Sequence, residues 1–174
     1  MTLPQLIDAL DTRRQALLRE LDGLSPESLQ VRRHPDRWSI LEIAEHVVVA
    51  ERIILQGLPP QAELVARPRT LRHRCLYQLV MAILRLGIPV KVPTKRMLPT
   101  GKLTLDEVKR EWDAHLRWLR DLVAGLPPED LAKAWFVHPV AGPITLVQAL
   151  RMDQVHLDSH IRQIRRLSSG GATP

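Results

Sequence analysis

The sequence predicts an all-α protein, an antiparallel four-helix bundle with an extra helix in the connection between core helices 2 and 3. Three observations predict it. Apolar residues recur at helical spacing in several long runs, the pattern of a helix with one buried stripe. Three of those runs open on a capping box, in which a hydroxyl and a side chain three residues on satisfy orphan backbone N–H groups. No segment sustains period-two alternation, so essentially no sheet is expected.

The first run covers Leu3 to Leu24, with Leu6, Leu10, Leu17, Leu21 and Leu24 in line and Ile7 and Leu18 widening the stripe. Gly23 and Ser25-Pro26 punctuate its end. The second starts at Ser39, carries Ile40, Ile43, Val47, Ala50 and Ile54, and ends near Gly57, before Pro59-Pro60. A basic segment leads to a shorter helix from about Leu71 to Leu86, stopped by Gly87-Ile-Pro89. Pro93 and Pro99 make the next stretch an extended loop. A third long helix runs from Thr104 to about Ala124 and ends at Gly125-Leu-Pro-Pro128. After a loop with His138-Pro139 and Gly142-Pro143, the last helix runs from Thr145 to about Leu167. The capping boxes are Ser39-x-x-Glu42, Thr104-x-x-Glu107 and Thr145-x-x-Gln148. A single domain over 1–167 with a flexible tail over 168–174 is the resulting expectation.

A chain of 174 residues with 45% hydrophobic and 25% charged content can bury a real core as one domain. Its one cysteine, Cys75, excludes an intramolecular disulfide framework and a multi-cysteine zinc site. Together with a first segment that lacks a basic region followed by an apolar core, this points to the cytoplasm. The longest apolar stretch, Leu76 to Val90, is broken by Gln78 and Arg85 and is too short to span a bilayer. The net charge of +6 is unevenly placed: Leu64 to Leu105 contains no Asp or Glu, but nine Lys and Arg residues. Such a stretch attracts an acidic substrate, a phosphate, lipid headgroups or nucleic acid, with Arg72 and Arg74 as candidate anion contacts, and it is equally consistent with a solvated basic surface. With one Tyr and one Phe there is no aromatic–basic surface for stacking on nucleic acid, so no nucleic-acid partner is expected.

Three histidines carry the functional signal. His156 and His160 are four residues apart and share one face of the last helix. His46 borders the core stripe of the second helix, beside Ile43 and Ala50. A buried imidazole needs a partner for each nitrogen, either hydrogen bonds or a metal. His-x-x-x-His alone is close to chance, so spacing leaves open three individually satisfied histidines or one metal site with open coordination positions. Glu42 and Asp153 are the nearest candidates to orient the ligands; the Ser39 spacing already explains Glu42 as a cap, and Asp153 is a second-shell acceptor or general base. Elsewhere, Glu45 and Glu51 are expected to face solvent. Asp158 with Arg162, and Glu111 with His115, read as surface pairs. His138 reads as a loop-structuring residue, Cys75 as a buried small hydrophobe, and the four tryptophans as core or pocket lining.

The order Trp38-Ser39-x-x-Glu42-x-x-x-His46, Pro99-Thr-Gly101, His138-Pro139-x-x-Gly142-x-x-Thr145 and His156-x-x-x-His160-x-x-Gln163-Ile164 resembles the DinB/YfiT superfamily of four-helix metalloenzymes, from about residue 30 to 167. The resemblance implies that His46, His156 and His160 form a metal triad for zinc, nickel or a similar divalent ion. It implies a small-molecule substrate, and either thiol-dependent S-transferase or isomerase chemistry with a low-molecular-weight thiol or metal-assisted hydrolysis. It also implies a homodimer. The rival reading is a non-catalytic helical module whose basic segment meets an anionic partner or a membrane surface, the Leu71–Leu86 helix being apolar on one side and arginine-rich on the other.

Overall fold

Residues 1–92 and 94–170 are described by the structure, a computed structural model. Pro93 of the expected loop and the last four residues of the expected tail lie outside them. Six helices form: α1 Leu3–Asp22, α2 Pro26–Gln30, α3 Ile40–Gln56, α4 Leu71–Leu86, α5 Leu105–Ala124 and α6 Leu146–Ser168. All three expected capping boxes are made, by Ser39 with Glu42, Thr104 with Glu107 and Thr145 with Gln148. Two more begin α1 and α4, by Thr2 with Gln5 and Thr70 with His73. The last uses an imidazole where the usual partner is Glu or Gln.

Helices α1, α3, α5 and α6 enclose the main core, which includes Leu17, Leu21, Ile43, Val47, Val108, Trp112, Leu157 and Ile164. Cross-helix pairs fix their directions. On α1 and α6 the pairs ascend together: Leu6 O with Gln154, Arg13 with Asp158, Glu20 with Arg165. These two helices therefore run parallel. On α1 and α5 the pairs descend, Asp8 with Arg120, Arg14 with Asp113 and Asp22 with Lys109, so those two are antiparallel. The starts of α3 and α5 meet at one end, where the Gly101 position adjoins Glu42, and Glu51 faces His115 further along, so these helices run the same way. The bundle thus has two helices in each direction. The long connection between α3 and α5, which carries α4, brings the chain back to the end where α3 began.

α4 lies outside the bundle against α6, and buries only Tyr77 and Met81 among its residues. They join Ala141 and Ile144 in a second apolar cluster, backed by Met152 and Val155 of α6. Gly87, with φ +66°, ends α4 in the left-handed conformation, and Arg162 of α6 donates to the Leu84 and Arg85 carbonyls of its last turn. Arg162 is therefore a cap, while Asp158 pairs with Arg13, so the expected surface pair between them does not form. Cys75 is exposed rather than buried, because α4 turns only a narrow stripe inward. Trp118 is likewise on the surface, 41% exposed, while Trp112 and Trp135 lie in the core.

The loop before α6 contains a small hairpin that the sequence reading did not foresee: β1 Phe136–His138 pairs antiparallel with β2 Gly142–Ile144. Strands of three residues are too short to show a period of two. Gly142 takes φ +69° at the turn. The His138 ring accepts from the Val140 and Ala141 N–H groups, which is the loop-structuring role expected of it.

Candidate metal centre

α3 brings His46 to the bundle interior on its second turn, and antiparallel α6 brings His156 and His160 opposite it. Ring centroids stand 5.7 Å apart for His46 and His156, 5.1 Å for His46 and His160, and 4.6 Å for the α6 pair. One nitrogen from each of the three lies within 4.8 Å of the others. Metal–nitrogen bonds of about 2.1 Å would draw such a set together around one ion with small side-chain adjustments.

Hydrogen bonds decide which nitrogens face inward. His46 Nδ1 is 2.7 Å from the Met97 carbonyl, which can only accept, so Nδ1 carries the proton. His160 Nδ1 is 3.0 Å from Gln163 Oε1, one turn on along α6. The Nε2 atoms of His160 and His156 face each other at 3.0 Å. Burial pushes all three imidazoles down: His46 below its usual range, His156 well below, and His160 to about 4, with the neighbouring histidines adding to the effect on the α6 pair. They are neutral at physiological pH, the form in which imidazole binds a metal.

The Met97 carbonyl is held in place by a residue expected at the surface. Glu45 is 1% exposed, and its carboxylate accepts from Thr100 N, Thr100 Oγ1 and Gly101 N at 2.7–2.9 Å. It clamps the returning connection, with its 3₁₀ turn at Lys95–Met97, along α3 beside His46. Trp38 lies against the His46 ring, the centroids 4.8 Å apart and the planes tilted by 42°. Glu42 serves as the α3 cap and pairs with Arg32, as the capping reading required.

Glu51 is a second correction. It is buried on α3, where Oε2 faces His115 Nδ1 at 3.3 Å and Oε1 has no partner among the described residues. His115 thus turns into the bundle, while Glu111 pairs instead with Arg52. Asp153 of α6 lies in the field of Glu51 and His115. Desolvation raises Glu51 to about 8 and Asp153 well above the usual carboxyl range, and the proximity of Glu51 lifts Asp153 further. This acid pair sits about one turn deeper than the histidines. Asp153 makes no hydrogen bond to His156 among the described residues; the imidazole acceptors are Met97 O and Gln163.

The family model of the DinB superfamily matches residues 9–164. The chain belongs to the DinB superfamily. No curated protein sequence matches it. Within this DinB chain the structure brings the three expected ligands together. It sets Arg72 and Arg74 apart from them, on the exposed first turn of α4. The i,i+3 spacing of His160 and Gln163 was the one sequence signal for an orienting acceptor; the Met97 carbonyl left none. No helix among the described residues is long and apolar enough to cross a membrane.

Proposed function

We propose that this DinB protein is a metal-dependent enzyme in which His46, His156 and His160 hold one divalent ion, zinc or nickel, and that it acts on a small anionic substrate by thiol-dependent transfer or isomerisation. The observation that carries the reading is the direction of the imidazoles. Two of the three already give Nδ1–H to Met97 O and Gln163, which leaves Nε2 for an ion. A divalent ion in that position supplies Lewis acidity that a thiol or water lacks at neutral pH. Three neutral imidazoles leave its charge uncompensated, which suits an anionic substrate.

The remaining roles fall to this chain's own groups. Met97 and Gln163 fix the ligand tautomers, and Trp38 walls the His46 side. Glu51 and Asp153 hold a proton at neutral pH, because two carboxyls desolvated in one another's field do not both ionise. Asp153, one turn before His156, carries its proton there, so it enters as a proton donor and can accept only after giving that proton up. Metal-assisted hydrolysis is the companion chemistry, as it draws on the same ligands and the same acid pair.

Elemental analysis of protein purified without a histidine tag tests the first half, with near-stoichiometric metal expected and its loss in His156→Ala. Cobalt substitution tests the second. Adding a small thiol should bring up a sulfur-to-cobalt charge-transfer band in the near ultraviolet. A cobalt spectrum indifferent to thiols but sensitive to hydrolysable substrate analogues would move the assignment to hydrolysis. Metal-free protein that does not take up zinc, nickel or cobalt would end it.

A further inference from the structure

On the opposite side of α6 from the histidines lies an open depression of about 1020 Å³ between α4 and α6. Four guanidinium groups line it: Arg67 and Arg69 before α4, Arg74 on its first turns, and Arg151 on α6. Among the described residues none of the four has a carboxylate within 4.0 Å, although nine other Lys and Arg residues do. Glu63 and Asp106 bracket a stretch with no acidic residue, so the local sequence supplies no counter-charge.

Arg69 is the most constrained of the four. Its guanidinium carbon stands 5.3 Å over the Tyr77 ring, and Nη2 donates to His73 O at 3.3 Å. Tyr77 in turn donates to Gln148 O on α6 at 3.1 Å, so the stack is tied to both helices. Arg69 Nε is buried and without a hydrogen-bond partner. A buried donor with no acceptor is costly, and the planar guanidinium fork fits a tetrahedral oxyanion through two parallel N–H bonds. Arg69 is recessed between two helices, where a planar membrane surface does not reach. Its stack also covers Tyr77, leaving no open aromatic face for a base. The depression is larger than one phosphate, and Ala66, Pro68 and Ala132 give its remaining wall an apolar character.

We propose that this depression binds a small molecule through a phosphate group, with Arg69 as the central contact, Arg67, Arg74 and Arg151 around it, and the apolar wall beside an organic body. Arg74 is one of the two arginines singled out in the sequence; Arg72 lies outside the lining. The site is on a different face of α6 from the metal centre and does not depend on it.

Cys75, the chain's one cysteine, is exposed on the same lining and reports occupancy. The experiment uses full-length protein stripped of metal, at constant ionic strength set with chloride. Pyrophosphate and inorganic phosphate are titrated by calorimetry, and alkylation of Cys75 by uncharged N-ethylmaleimide is followed in parallel. Saturable pyrophosphate binding that slows alkylation is expected. Arg69→Lys and Arg151→Ala should each weaken it about tenfold or more with unchanged melting temperatures, and Arg117→Ala on α5 should leave it alone. Arg69→Lys keeps the charge and loses the fork, so it separates a built site from general basicity. Pyrophosphate that protects no better than chloride, or that binds both depression variants as well as the parent, overturns the proposal. So does succinate binding as tightly, which would make it a carboxylate site, or protection by anionic vesicles where pyrophosphate gives none.

Discussion

Glu51 shows what a single side chain can report about this interior. Its pKa of about 8 stands well above the 4.5 of an exposed glutamate, so the folded state favours the protonated form. Its contribution to stability is whole below about 4.5 and is lost as the pH rises through about 8. The site histidines have the opposite sign. Their folded pKa values lie below 6.5, so their contribution is present above 6.5 and lost as the pH falls toward about 4 in the case of His160. From 6.5 to about 8 the histidines are flat, and the slope belongs to the carboxyl pair. Metal-free protein should therefore lose stability over that interval, with a limiting slope of about 1.4 kcal/mol per pH unit for one group. Glu51→Gln should remove its own share and leave that of Asp153, which desolvation keeps raised. Urea midpoints across the interval check this, and a parent profile that is already flat would contradict the buried acid.

At the scale of elements, the connection from α3 to α5 is held by Glu45. Its replacement by Ala removes three hydrogen bonds to a carboxylate and should cost about 2–3 kcal/mol of stability. It should also weaken metal binding about tenfold, because the loop it clamps carries the Met97 acceptor of His46. Chelator competition measures the second effect. Glu107→Ala, which removes the reciprocal half of the α5 capping box and a pair with Arg110 far from the histidines, should lower stability and leave affinity unchanged. The elements themselves were largely legible in the sequence. Ser39, Thr104 and Thr145 marked helix starts because a cap is a local device, complete within four residues. α3 hid its chemistry for the opposite reason. Every residue but Leu41 from Ile40 to Glu51 is buried, since α5, α6 and the returning loop cover it on most sides. Burial on nearly all sides erases the contrast between faces, so Glu45 and Glu51 looked like solvent-facing charges. The hairpin around Gly142 escaped because its strands hold too few residues for any period.

Across the whole molecule, the proposed ion would join α3 to α6, two helices separated by about a hundred residues of chain. Ligands that bind only the folded state raise its stability, by about 2.7 kcal/mol at a hundredfold excess over Kd. Zinc or nickel should accordingly raise the melting temperature of stripped protein, and His160→Ala should cancel the rise while keeping the fold. Scanning calorimetry with and without chelator is the measurement. The trio was legible in the sequence because order along the chain carried it; helix direction was not, since no local pattern states which way a helix is returned. That direction bears on how the chain comes to be folded. α1 lies along α6 and antiparallel to α5, so the earliest of the four bundle helices to be made finds its two walls only among the later ones. During synthesis its stripe from Leu6 to Leu21 waits uncovered, which makes it the natural place for a chaperone to hold the nascent chain.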